Sequence, residues 1–263
     1  MYTWNWDPGL VFGLVMQAIV YLACVGPLRR YFPGSASVSQ VRIQTFLLGV
    51  LILFFALVSP LHTLGDQYLL SAHMVQHLLI TLVAPPLLLV GTPRWLFRPL
   101  LRLPFAPTIG RFITSLLVAF LAFNIVFAAW HVPAFYDLAL QYEWVHAAEH
   151  ISFIVTATLT WWPIFSPMDE FPAPAPPVQC LYLFFQSLPP TVVGALITFS
   201  GDVLYPTYAN APRVWGLSAL ADQQIAGLIM WFPGGLVFFG VLTVIFLRWF
   251  SRDDYEPVSD GVV

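Results

Sequence analysis

The chain has 263 residues, of which 10 are basic, 13 are acidic and 59% are hydrophobic, giving a net charge of −3 and a mean hydropathy of +0.80. Charged residues make up 9%, against about 25% in a soluble domain, too few to cover a water-facing surface. This excludes a soluble globular enzyme, a nucleic-acid binder with its basic face and a disordered scaffold, and leaves a polytopic membrane protein.

Seven apolar stretches come close to the roughly 20 residues needed to cross a bilayer: residues 9–28, 43–61, 69–91, 112–131, 145–165, 178–199 and 222–247. Backbone groups in lipid must bond internally, so each is expected to be a helix. A β-barrel would show short alternating segments instead. The expectation is an all-α, seven-helix transmembrane domain over residues 1–250 and a polar cytoplasmic tail over 251–263. The residues before the first stretch carry Asp7 and no basic side chain, so that stretch reads as a retained helix and not as a cleaved leader. The third stretch contains Pro85-Pro86, the sixth Pro189-Pro190 and the seventh Pro233-Gly234-Gly235. Such breaks free backbone carbonyls. They serve either as packing kinks or as a binding site, and in the sequence the three do not converge on one depth. Residues 165–177 are proline-rich and read as a stiff loop.

All ten basic residues are arginine. On seven helices, Arg29, Arg30, Arg42, Arg94, Arg98, Arg102, Arg111, Arg248 and Arg252 fall on one side and Arg213 alone on the other. The positive-inside rule puts the N-terminus outside and the C-terminus in the cytoplasm. The outer side then nets −6 and the inner side +3, with Asp254, Glu256 and Asp260 among the inner acids. Trp4, Trp6, Trp130, Trp144 and Trp215 are expected at the outer interface and Trp95, Trp161, Trp162 and Trp249 at the inner one, as an aromatic belt. Trp231 lies within the seventh stretch and reads as packing.

On this topology all six histidines lie at or just below the outer surface. His62 ends the second stretch, His73 and His77 open the third, His131 ends the fourth, and His146 and His150 open the fifth. His73–His77 and His146–His150 have i,i+4 spacing, which sets two imidazoles on one helix face one turn apart. That is how a helix presents two ligands to one metal ion, and neutral imidazole suits copper, zinc, iron and nickel. A single histidine at a membrane interface has a plainer explanation in its amphipathic ring. Two spaced pairs with His131 at the same depth do not. Glu149 and Asp66 stand beside them, and such groups accept the second N–H of a metal-bound imidazole. Asp222 opens the last stretch and reads equally as a helix cap or as one of these acceptors. Met74 and Met230 either offer thioethers to Cu(I) or fill space. Cys24 and Cys180 fall at the opposite, cytoplasmic ends and form no CxxC pair, so a metal site here is rich in imidazole and lacks thiolate.

The blocks SPLHTLGDQYLLSAHMVQHLL (59–79), WHVPAFYDLAL with VHAAEH (130–150), WWP (161–163), LITFSGDVLYPTYA (196–209) and DQQIAGLIMWFPGG (222–235) resemble the integral-membrane CtaG family of caa3-type cytochrome c oxidase assembly factors. The resemblance implies a multi-pass protein of the bacterial plasma (inner) membrane whose partners are the lipid bilayer and the subunits of a haem-copper oxidase, and whose cargo is copper. It implies an assembly factor or metallochaperone more than an enzyme. Spacing and topology make His73, His77, His131, His146 and His150 the candidate copper ligands, with His62, Asp66, Glu149 and Asp222 as neighbours. No nucleic-acid partner is expected, and a homo-oligomer is compatible with the sequence.

Three other readings use the same residues. One is a membrane-embedded metalloenzyme acting on lipid, a hydrolase or oxidase with zinc or iron on the histidines and Glu149 or Asp66 as general base. A second is a haem protein clamped by His77 and His150. The third is a structural chaperone that needs no metal.

Overall fold

A computed structural model describes residues 3–253, all of whose regular elements are helices. The acidic tail residues Asp254, Glu256 and Asp260, and with them most of the expected polar tail, lie outside the described residues. Residues 251–253 complete the last helix.

Helix α1 (Pro8–Val25) starts where Asp7 accepts the Leu10 amide at 2.7 Å. Helix α2 (Gln40–Val58) starts at Ser39, whose hydroxyl accepts from Arg42. The second apolar stretch does not run on to His62. Ser59 ends α2, caps the next helix through the Leu61 amide, and Pro60 opens a separate short helix, α3 (Pro60–Gln67). A proline at the first helical position loses nothing, because that N–H would have no intrahelical partner. His62 and Asp66 thus ride on a separate short helix.

The third stretch is α4 (Leu70–Leu78), a π-helical turn over Leu79–Val83, and α5 (Ala84–Gly91). The widened turn sits just ahead of Pro85-Pro86. Pro85 has no N–H to give to the carbonyl four residues back, which belongs to Thr81. The Trp161 indole N–H donates to that carbonyl instead, at 2.9 Å. Trp161 is completely buried and Trp95 nearly so. Neither belongs to an interfacial belt; both are core side chains, a correction to the sequence expectation.

The fourth stretch is also divided. Helix α6 (Ala106–Ile113) and α7 (Leu116–Trp130) meet at an angle of 64°. A short helix, α8 (Pro133–Gln141), leads into α9 (Glu143–Phe165). Helix α10 (Pro176–Phe199), the small α11 (Pro206–Asn210) and the long α12 (Ala219–Asp253) complete the chain. Helices α10 and α12 pack at close range. A Cβ on Gly227 would lie 2.6 Å from the Gly194 carbonyl oxygen, so the approach requires glycine.

Among the described residues, five helical segments are long and apolar enough to cross a membrane, and six if the bent α6–α7 pair is one span. Helix α9, 23 residues long, is not one of them. Its first turns carry Glu143, His146, Glu149 and His150 in place of apolar side chains. At the end of the α4–α5 span remote from His73 and His77, Arg94 and Arg98 pair with Asp169 and Glu170 at 2.8–3.1 Å. The proline-rich loop is tied there.

Candidate metal centre

Helices α4 and α9 face each other through their spaced histidine pairs. Within each pair the ring centroids are 4.2 Å apart, and across the helices His73–His150 and His77–His150 are 5.9 and 5.7 Å apart. His73, His77 and His150 are buried, as is Glu149, which is 1% exposed. One ligand atom from each of these four lies within 4.8 Å of all the others. His73 Nε2 and His77 Nε2 are 2.7 Å apart, and His77 Nε2 is 3.6 Å from Glu149 Oε1. A second group, His62, Asp66 and His146, meets the same criterion immediately beside the first. The two groups share edges. Asp66 Oδ1 is 3.8 Å from His73 Nδ1, and Glu149 Oε2 is 4.0 Å from His146 Nε2. The rings of His62 and His146 stack at 5.4 Å.

Short helix α3 can lie over this site because of Gly65. A Cβ there would sit 3.0 Å from His73 Cα, so any larger residue would push α3 away from the first turn of α4, where glycine lets it rest closely. The Gly65 carbonyl accepts from the Tyr208 hydroxyl at 2.6 Å, and the same hydroxyl lies 3.4 Å from His73 Nδ1. Tyr136 reaches Tyr208 at 3.3 Å. His62 on α3 accepts at Nδ1 from Gln76 Nε2 of α4 at 3.0 Å, while its Nε2 faces Asp66 at 3.2 Å. Burial lowers the His62 imidazole to about 4 and raises the Asp66 carboxyl well above the usual carboxylate range. In this setting the neutral forms of both are favoured.

Asp222 is a cap, but not of its own helix. Its two oxygens accept from the Leu70 amide at 2.7 Å, the Ser71 amide at 3.2 Å and the Ser71 hydroxyl at 2.5 Å. It therefore fixes the start of α4, the helix that carries His73 and His77.

His131 belongs to neither four-atom nor three-atom group. It ends α7, with its ring 6.2 Å from that of His77. Its Nδ1 donates to the Phe127 carbonyl at 2.7 Å. Cys24 and Cys180 are free thiols.

The donor set fits a metal ion. Among the described residues ten buried side-chain N and O atoms have no hydrogen-bond partner, and seven of them belong to Asp66, Gln76, His77, His131, His146, Glu149 and His150. Leaving such an atom unpaired costs about 1–3 kcal/mol, so a concentration of them in one place calls for a ligand. A haem clamped by His77 and His150 fits poorly, because His73 Nε2 stands 2.7 Å from His77 Nε2, where the porphyrin would lie.

Gln76, Tyr136 and Tyr208 contribute to the site without having been singled out from the sequence. Gln76 lies inside the HMVQH segment, and Tyr208 inside the LITFSGDVLYPTYA block. Their roles depend on α3 folding back and α11 docking, which no local pattern announces.

Among the described residues, all regular elements are helices, five to six segments are of membrane length, and a buried imidazole–carboxylate cluster that could hold a metal ion sits at one end of them: the class is a polytopic helical membrane protein. The family model described as cytochrome c oxidase caa3 assembly factor matches residues 19–252. The chain belongs to that family, as the sequence blocks led us to expect. It is similar to uncharacterized proteins of Mycobacterium bovis and Mycobacterium tuberculosis, each 27% identical over 268 residues, covering 95% of this chain and 40% of the relative. An uncharacterized protein of Mycobacterium leprae is 25% identical over 237 residues, covering 83% of this chain and 36% of the relative. The chain thus spans about two fifths of the length of these relatives. No solved structure matches it.

Proposed function

We propose that this assembly factor binds copper at the His73, His77, Glu149 and His150 group, with His62, Asp66 and His146 as an adjoining group, and delivers it to a haem-copper oxidase. The observation that carries the reading is the concentration of unpartnered buried donors on these two groups. Membership of a family of oxidase assembly factors supports a haem-copper oxidase as the partner.

The chain's own residues divide the work. The imidazoles supply neutral nitrogen donors. Asp66 gives up its proton as the ion binds, and with Glu149 it then brings negative charge that offsets the cost of placing a cation among buried groups. No thiolate takes part, so the ion is held less tenaciously than in a cysteine cage, which suits transfer. In the proposed topology seven helices cross the bacterial plasma membrane with the N-terminus outside, α9 joining the six membrane-length segments as the fifth span. The cluster then opens toward the outer side, and the net −6 of that side attracts cations over anions. A site at the bilayer edge can pass an ion to another membrane protein without releasing it to bulk water.

Glu149 beside three imidazoles also fits a zinc hydrolase, in which the carboxylate is the general base. One experiment separates the readings. Detergent-purified wild-type protein and the His73→Ala/His150→Ala variant are loaded with copper or zinc, desalted and analysed for metal. Their ability to restore oxidase copper content is measured in membranes of a strain lacking the factor. Stoichiometric copper in the wild type, lost together with oxidase maturation in the variant, is the expected result. Equal copper in both proteins overturns the site. Retained zinc with no effect on the oxidase favours the hydrolase.

A further inference from the structure

The broken helices converge, contrary to the sequence expectation. Directly beneath the histidine cluster lies a cavity of about 20 Å³ lined by residues of five helical segments. Pro190 of α10 and Gly234 of α12 form part of its wall, and Leu82, in the π-helical turn ahead of Pro85-Pro86, forms another. A space of this size holds a single water-sized occupant. The wall is mostly apolar and aromatic, with Phe127 and Phe153 prominent. Five side chains depart from that character: Met74, Met230, His77, His131 and Thr81, the last with its hydroxyl committed to the His77 carbonyl at 2.6 Å.

His131 is 6% exposed. Its Nδ1–H is committed to the Phe127 carbonyl. That bond fixes the tautomer and leaves the lone pair on Nε2. Histidine ligands are commonly oriented in this way, with the second nitrogen held by a backbone carbonyl. His131 Nε2 is buried and has no partner. His77 also lines the cavity, and its Nδ1 has no partner either, while its Nε2 belongs to the outer cluster. Met74 and Met230 are 1% and 4% exposed. A methionine in a core is ordinarily a gap filler. Two of them lining a one-atom cavity with an unpaired imidazole nitrogen form a donor set.

We propose that this cavity is a second and softer metal site, which takes Cu(I) through His131 Nε2 and the thioethers of Met74 and Met230. Thioethers select Cu(I) over harder ions. Charge favours the same choice. The cavity wall has no carboxylate, and the cost of desolvating an ion grows as the square of its charge, so a divalent ion pays about four times the penalty of a monovalent one. The outer groups, with Asp66 and Glu149, tolerate a divalent ion. His77 belongs to both places: it lines the cavity, and its Nε2 lies among the ligand atoms of the outer group. The proposal extends the copper reading of the outer cluster and assigns His131 to a separate site.

The test is copper K-edge absorption on the purified full-length protein loaded anaerobically with Cu(I), with Ag(I) competition as a second probe. Three proteins are compared: wild type, Met74→Leu/Met230→Leu and His73→Ala/His150→Ala. Leucine preserves methionine's volume within narrow limits, and a melting curve checks each fold. The wild type should show copper–sulfur scattering and an Ag(I)-displaceable equivalent. The methionine variant should lose both while keeping the metal bound at the outer cluster. The histidine variant should keep the sulfur scattering. An absence of copper–sulfur scattering in the wild type, or its persistence in the methionine variant, would overturn the soft site. Sulfur scattering in a wild-type protein whose outer cluster takes no metal would leave this inference standing and remove the outer-site reading.

Discussion

Asp222 holds the Leu70 amide at 2.7 Å across 152 residues of sequence. The same carboxylate accepts two further hydrogen bonds from Ser71. The first turn of the last long helix thereby anchors the helix that presents His73 and His77. A carboxylate that caps a helix also complements its dipole, and a buried charged acceptor is worth more than an exposed one.

Asp222→Ala should therefore destabilise the protein by about 2–3 kcal/mol and loosen the register of α4. Asp222→Asn, which keeps one oxygen acceptor, should lose roughly half as much. Thermal melting in detergent measures the stability, and metal titration reads the register. A melting curve unchanged in the alanine variant would show that the cap is dispensable.

The pairing of Trp161 with Thr81 gives a second test. The indole N–H takes the carbonyl that Pro85 leaves free, and the ring stacks on Phe238 at 5.3 Å. Trp161→Phe keeps most of the ring and removes the donor. Its expected cost is about 1–2 kcal/mol, and metal content should stay at the wild-type level because the residue lies beyond the histidine cluster. A loss of metal with unchanged stability would mean that the proline break is coupled to the site instead of being structurally satisfied.

Much of the site was legible because i,i+4 spacing is a local property. His73–His77 and His146–His150 needed only helix geometry to be paired, and the arginine pattern put them at one level. What α3 does was not legible. Ser59-Pro60 reads as the end of an apolar run, while in three dimensions it ends one helix and starts another, folding His62 and Asp66 over His73. That fold-back depends on Gly65 against the His73 backbone, a contact between elements. Asp222 was open between a cap and an acceptor near the metal because sequence shows the helix a residue starts, not the one it meets. His131 was grouped with the others by depth, but the turn after α7 directs it to the cavity below. Trp161 was misplaced because a tryptophan near a span end resembles an interfacial anchor until its partner, a carbonyl released by a proline on another helix, is known.

The pH dependence of the metal-free protein follows from His62. Burial lowers its imidazole from the ordinary 6.5 to about 4 in the folded state. Between those values the unfolded chain binds more protons than the folded one, so stability rises with pH. The contribution of His62 is fully present above pH 6.5 and is lost as pH falls toward 4. Asp66 acts in the opposite direction. Its raised folded value means that the neutral carboxyl stabilises the metal-free fold, and that stabilisation fades as pH rises through the folded value. Melting temperatures of metal-free protein, followed from pH 7 to pH 4, should fall less steeply in His62→Gln than in the wild type. A glutamine variant as acid-sensitive as the wild type would show that His62 carries none of this dependence. Saturating copper should hold the wild-type melting temperature up across the upper part of the range, because a bound ion stabilises the folded state by mass action, and should cease to do so as protons displace it from the imidazoles.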